Sequence, residues 1–183
     1  MEILAVTEVV AAARAKWRFR GVDRPEFALT ASRNEESVWD YPRPPRIAEV
    51  TERLRVLCGE LLIAETEVGL RVMETAGAPT YYFPPEDVHH LHLTMQGQAR
   101  SHCEWKGHAV NFSVAGVHDA AWSYTSIYAE FASIHGWFAF FPARLDCYVG
   151  TERVVAQSGG YYGGWVTGNL CGPIKGEPGT EHW

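Results

Sequence analysis

The sequence predicts a mostly β domain with one extra helix at its N-terminus. Two observations carry that class. From residue 54 onward the chain is a succession of short apolar runs separated by Gly and Pro turns, and only its first stretch shows apolar side chains at helical spacing. At 183 residues the chain has the length of a single domain with a proper core.

The elements follow in order. Residues 3–19 place Val9, Val10, Ala13 and Trp17 at roughly helical spacing, with Thr7 as a hydroxyl N-cap, and predict a helix. Residues 21–46 are mixed and polar and close with Tyr41-Pro42-Arg43-Pro44-Pro45, where the fixed proline φ predicts an extended arm. The expected division is therefore 1–46 for helix and proline-rich arm and 47–183 for the β domain. Residues 54–58 and 61–64 flank a Gly59-Glu60 turn and predict a hairpin. Residues 70–74 and 80–83 are two further strands, parted by Gly77 and Pro79, with Pro84-Pro85 stopping the second. His90-Leu91-His92-Leu93 alternates with the period of a strand. Residues 108–114, 137–141, 145–149 and 153–156 are strand-like, 127–134 reads as a short helix or turn, and the tail from Ser158 is glycine-rich loop with one strand near Trp165-Val166.

Composition narrows the partners. A formal charge of −6 argues against nonspecific nucleic-acid binding, which needs a basic surface to release counterions. No apolar stretch reaches the ~18 residues of a membrane span, and Glu2 and Glu8 interrupt the N-terminal run, so neither a membrane anchor nor an export signal is expected. The expected compartment is the cytoplasm. Cys58, Cys103, Cys147 and Cys171 stand far apart with no C-x-x-C pair, which predicts free thiols and no structural zinc.

The chemistry-bearing signal lies in the second half. Cys103-Glu104-Trp105-Lys106-Gly107, Ala120-Ala121-Trp122-Ser123-Tyr124, Gly159-Gly160-Tyr161-Tyr162-Gly163-Gly164-Trp165 and Gly172-Pro173-Ile174-Lys175-Gly176 combine rings, single lysines and paired glycines. Such runs suit a walled pocket, with rings as sides, a lysine as cation, and glycines admitting close approach.

These runs, with Arg71-Val72-Met73-Glu74-Thr75 and Tyr81-Tyr82-Phe83-Pro84-Pro85-Glu86-Asp87-Val88, make the chain resemble the bacterial domain of unknown function 427 family. The likeness begins at Glu36-Ser37-Val38-Trp39-Asp40 and runs to the C-terminus. It implies a β-tent, two antiparallel sheets meeting at an angle. Some members carry a nucleotidyltransferase label, for which this chain shows neither a P-loop nor a pair of metal-binding acids beside a Gly-Ser element. The N-terminal helix and linker, the His89-His90-Leu91-His92 segment and His102 depart from the family pattern.

Each candidate residue has a functional and a structural reading. Lys106, between Trp105 and Gly107, is an anion stabiliser or a solvated hairpin residue. Glu74, at a strand end, is a general base, a partner for Lys106, or a buried hydrogen-bond acceptor that fixes a turn. Cys103 is a nucleophile activated by Lys106 or His102, or an inert thiol. His90 and His92 share a face of the expected strand and, with His102 or His108, would make a zinc or iron site. An exposed polar face is the competing account. Trp105, Trp122, Ser123, Tyr124, Tyr162 and Trp165 are candidate walls, Tyr82 or Tyr124 a proton donor, and Lys175 a second cation; aromatics in a β domain are otherwise core. The expectation is an enzyme of lyase, isomerase, cyclase or hydrolase type, without cofactor, acting on a small organic molecule by acid–base chemistry. The alternatives are a non-catalytic binding module and a metal-dependent enzyme at the histidines. Because an isolated helix of this length is marginal in water, the N-terminal segment is expected to bury its apolar side against the β domain or, preferentially, in a homodimer interface.

Overall fold

The computed structural model describes the backbone of residues 1–183 and every side chain except those of residues 98–100. The chain opens with strand β1 (Glu2–Leu4) and helix α1 (Glu8–Ala15), where Thr7 Oγ1 accepts the Val10 N–H at 3.3 Å as N-cap. The helix expected over 3–19 is thus shorter. Residues 2–4 instead run parallel to the edge of a later strand, whose free backbone groups satisfy theirs. An eight-residue helix cannot sustain itself, and it docks on its own chain. Val10 is buried, and Arg14 donates from Nε to Glu104 O at 2.7 Å and lies over the Trp105 ring. The premise of a detached helix seeking a fresh surface is corrected by these contacts.

Strand β2 (Glu36–Ser37), a 3₁₀ turn over Val38–Asp40 and strand β3 (Arg46–Glu49) follow. The segment read as linker and arm is core only in its second part, since residues 22–36 hold no buried side chain. Val38, Trp39 and Tyr41 are buried with Met73 and Ala76, and Trp39 meets Phe19, Phe27 and Trp183 at ring separations of 5.1–5.3 Å. Aromatic side chains, more than the prolines between them, decided its place. The 46/47 division falls inside β3.

The hairpin of β4 (Leu54–Cys58) and β5 (Leu61–Thr66) and the pair β6 (Leu70–Met73) and β7 (Thr80–Tyr82) form as expected. His90–His92, expected as strand, is a 3₁₀ turn held by His92 N–H donating to His89 O at 3.1 Å, and strand β8 (Leu93–Cys103) starts after it. A four-residue alternation is too short to outweigh local turn bonds. The remaining strands are β9 (Gly107–Val114), β10 (Val117–Tyr128), β11 (Phe138–Phe140), β12 (Asp146–Val149), β13 (Glu152–Arg153), β14 (Val155–Ala156), β15 (Trp165–Val166) and β16 (Leu170–Cys171), with a 3₁₀ turn over Ala129–Ile134.

The molecule is mostly β, built as several sheets. The largest runs β1-β10-β9-β8, with β11 also on β10; a second runs β13-β12-β4-β5, a third β3-β6-β7. Reciprocal Phe83–Phe138 backbone bonds of 2.8 and 2.9 Å tie the third sheet to the first. The main core lies among Leu54, Val56, Ile63, Phe83, Phe140 and Trp165. A second cluster contains Tyr82, Trp105, Trp122 and Tyr124. Neighbours on a strand point to opposite faces, so Tyr81 joins the first cluster and Tyr82 the second. Among the described residues no helix is long and apolar enough to cross a membrane.

Candidate functional site

Beside the second cluster lies a cavity of about 560 Å³. Strand β10 contributes Trp122 and Tyr124, two residues apart and therefore on one face; the β7 strand contributes Thr80 and Tyr82; Glu74 stands just past the end of β6. The turn between β8 and β9 supplies Glu104, Trp105 and Lys106, and is pinned by Tyr128 N–H donating to Lys106 O at 3.2 Å. The tail supplies Gly160, Tyr161, Tyr162, Gly163 and Lys175. One backbone crossing sets that tail. Gly159 and Gly176 both have positive φ, and a Cβ on either would collide with the backbone of the opposing segment, so only glycines let residues 158–160 cross residue 176. Lys175 is thereby fixed at both backbone groups, its N–H donating to Ala76 O at 2.8 Å and its O accepting from Gln157 Nε2 at 2.9 Å.

A charge cluster forms the floor. Glu74 accepts from Arg43 Nε at 2.9 Å and lies 3.7 Å from Lys175 Nζ. Arg43, whose side chain is 0% exposed, is fully engaged, donating also to Phe19 O (2.7 Å), Thr75 O (2.9 Å) and Trp183 O (3.0 Å). Burial works against the Glu74 charge, but Lys175, Lys106 and Arg43 together outweigh it and hold the carboxyl below its ordinary value. Lys175 is buried between two rings, its Nζ 4.7 Å from the Trp17 centroid and 4.8 Å from that of Tyr162. Its burial, with Arg43 and Lys106 as like charges, lowers its pKa despite Glu74. Lys106 goes the other way. Burial opposes its charge, yet the Cys103 sulfur, Tyr82 hydroxyl and Glu74 carboxylate around it override that and raise it. No described carboxylate lies within ion-pairing distance of Lys106 Nζ.

Two buried donors in this wall, Tyr82 Oη and Trp105 Nε1, donate to no partner among the described residues, although the Trp122 indole stands beside the Tyr82 oxygen. Burial pushes the Tyr82 hydroxyl up to about 12 even with Lys106 nearby, so it stays protonated at neutral pH. Tyr124 is raised well above its ordinary value by burial and by Cys103 and Tyr82. Orphaned buried donors cost free energy unless a ligand or water meets them. The site therefore offers one unpaired ammonium and two unpaired donors between aromatic walls.

The cavity gathers Glu74, Tyr82, Cys103, Trp105, Lys106, Trp122, Tyr124, Tyr162 and Lys175, as well as His102. Four expected wall or metal residues do not reach it. Trp165 is fully buried in the main core and donates from Nε1 to Phe140 O at 3.0 Å. Ser123 is buried on the β10 face opposite Trp122, because adjacent strand residues alternate. His90 and His92 sit on the 3₁₀ turn, with His90 Nε2 2.7 Å from Pro85 O, while His102 pairs with Tyr128 Oη at 3.1 Å. Among the described residues no group of three or more His, Cys, Asp or Glu is placed to hold a metal ion.

Sequence reasoning missed Trp17, which leaves the N-terminal segment to wall the cavity and donates from Nε1 to Glu104 Oε1 at 2.6 Å, and it missed Arg43 beneath Glu74. One signal was available. Of the 16 Lys and Arg residues, only Lys16, Lys106 and Lys175 are lysines, and two of those three line this cavity.

These features define a mostly β domain with a single-chain, aromatic-walled and cation-bearing cavity. The chain belongs to the family described as a domain of unknown function (DUF427), whose model matches residues 46–151. That segment holds Glu74, Tyr82, Cys103, Trp105, Lys106, Trp122 and Tyr124. Trp17, Arg43, Tyr162 and Lys175 lie outside it. No curated protein matches the chain.

Proposed function

We propose that this cavity takes a small aromatic or unsaturated organic molecule bearing an anionic group, and that the protein performs acid–base chemistry on it within a β-tent frame. The observation that supports this reading is the convergence of Lys106, Tyr82 Oη and Trp105 Nε1, all unpaired, beside the Glu74 carboxylate in one cavity. Lys106 provides a fixed positive charge for the anion, or for an enolate-like charge that develops during reaction. Tyr82, kept protonated, is the proton donor, and Trp122, Tyr162 and Trp17 form the walls. Glu74 is a weaker base than its position suggests, because Arg43 and Lys175 already stabilise its charge. It suits the part of a counter-ion that takes a proton from an adjacent cation. That same saturation favours the alternative, a binding module without turnover.

The test is Trp fluorescence titration with a panel of aromatic carboxylates and their neutral amides, followed by product analysis on those that bind. Carboxylates are expected to quench saturably. Lys106→Met should weaken them by about tenfold or more, since a charge-assisted bond contributes about 1.5–3 kcal/mol. Equal binding of acids and amides would sink the anion site. Saturable binding with no product from any member would leave the binding module as the better account.

A further inference from the structure

Lys175 combines features that a structural lysine does not need. Its side chain is only 4% exposed, yet it borders the main cavity and also a side pocket of about 70 Å³ shared with Glu74, Lys106 and Tyr162. Its backbone is fixed on both sides and two rings clamp its stem, so the amine is held in place before any ligand arrives. Its one close carboxylate, Glu74, is nearer to Arg43 than to Lys175. Around the amine stand Arg43, Lys106 and Lys175 itself against Glu74 and Glu104. Arg43 and Lys106 as like charges in a low-dielectric site make the charged form of the Lys175 amine less favourable. Of the two lysines in the cavity, Lys175 gives up its proton more readily, because burial and like charges lower it while Lys106 is raised.

We propose that Lys175 is a nucleophilic amine that forms an imine with a carbonyl compound carrying a carboxylate, the carboxylate seated on Lys106. This deepens the acid–base reading of the cavity and rests on it. A desolvated lysine beside other cations is a recognised way to make a neutral amine nucleophile at ordinary pH. In the step itself the Lys175 nitrogen lone pair adds to the carbonyl carbon. A C–N bond forms and the C=O π pair moves to oxygen, which takes the Tyr82 Oη proton. The nitrogen gives up a proton to the Glu74 carboxylate, 3.7 Å away, leaving a neutral carbinolamine. Protonation of its hydroxyl, with that proton returned by Glu74, expels water as the nitrogen lone pair forms C=N, and the resulting iminium gives its N–H proton back to the Tyr82 oxygen. The balance is amine plus carbonyl giving imine plus water, with no net proton taken up. Imine formation places a nitrogen that accepts electrons next to the carbon whose C–H or C–C bond is to break, which is the chemistry of lyases and isomerases acting on oxo acids.

The chain supplies its own reference, since the only lysine outside the cavity is Lys16, which is exposed. The full-length protein is incubated at neutral pH with phenylpyruvate or phenylacetaldehyde and sodium cyanoborohydride, which reduces an imine to a stable secondary amine. Intact mass and peptide mapping then locate the adduct. The expected result is one adduct per chain, on Lys175, formed about tenfold or more faster than on Lys16, because the Lys175 amine is held in place beside the bound carbonyl. Lys175→Arg should abolish it, and Lys106→Met should slow labelling by phenylpyruvate more than labelling by phenylacetaldehyde, which loses only the like charge beside Lys175 and not a carboxylate seat. Labelling of Lys16 at the same rate as Lys175, or no adduct at Lys175 in the unaltered protein, overturns the proposal. Saturable fluorescence quenching by phenylpyruvate in that same sample separates the two failures. Quenching without an adduct rejects the imine and keeps the pocket, whereas neither signal rejects both.

Discussion

At the scale of single residues, Arg43 decides how the cavity floor behaves. Its guanidinium has no exposure and meets four acceptors, one of them Glu74 and three of them backbone carbonyls on otherwise separate segments. Removing it strands those acceptors and leaves Glu74 with Lys175 alone at 3.7 Å. Arg43→Met is expected to lower stability by about 3–5 kcal/mol in urea denaturation, the range for breaking one side of a buried pair. The pH dependence follows from the lowered Glu74. A carboxyl whose folded value lies below its unfolded 4.5 binds fewer protons folded than unfolded. Its contribution is therefore complete above that value and is lost as pH falls through the lower folded one. In Arg43→Met that acid-side loss should flatten, because one of the cations that lowered Glu74 is gone. An unchanged acid limb would show that Lys175 and Lys106 alone set the Glu74 charge. Residues of this kind were only half legible in the sequence. Glu74 and Lys106 announce themselves by standing at turns beside glycine or rings, but Arg43, among prolines, gives no local sign that a carboxylate 31 positions away will claim it.

At the scale of elements, the strand period explains most of what sequence reading found and missed. Tyr82, Trp122 and Tyr124 share a cluster because period-two alternation put them on inward faces, and the same rule excludes Ser123. The turn signals around Gly59, Gly77 and Pro79 located the hairpins that set Glu74 in place. The histidine strand failed because four alternating residues are not enough evidence against a 3₁₀ turn. The rings and lysine of the glycine-rich tail marked it as a candidate wall, and Tyr162 and Lys175 do line the cavity, but the crossing that places them depends on tertiary contacts that no local pattern encodes. Gly163 shows this. A Cβ there would overlap the Trp122 indole, so the absence of a side chain lets the ring lie against the tail. Gly163→Ala is expected to push Trp122 into the cavity, with a stability loss of about 1–3 kcal/mol as in other overpacked sites. Aromatic-carboxylate titration should show weakened binding in this variant. Retained affinity with unchanged Trp fluorescence would mean that the tail, not the indole, gives way.

At the scale of the whole molecule, the N-terminal segment is part of the site even though the family match begins at residue 46. Strand β1 extends the largest sheet along β10, Arg14 grips the β8–β9 turn through the Glu104 and Trp105 carbonyls, and Trp17 closes one wall over Lys175. Each of these acts on the segment that carries Lys106. Deleting residues 1–21 should therefore leave the strands on the main core folded, since that core contains none of the deleted side chains, while opening the cavity to water. Loss of the Trp17 wall raises the dielectric around Lys106 and Lys175 and weakens every charge interaction there. Carboxylate affinity is expected to fall by about tenfold, the effect of losing about 1.4 kcal/mol, and Lys175 should lose its labelling advantage over surface amines. The segment also presents Ile3, Val6 and Val9 outward, 47%, 47% and 79% exposed. Light scattering on the full and truncated chains reads that face separately. A dimer that becomes a monomer on truncation assigns it to a subunit interface, and a monomer in both leaves the wall over the cavity as the segment's whole contribution. Affinity that survives the deletion would refute the part given to Trp17, whichever mass is found.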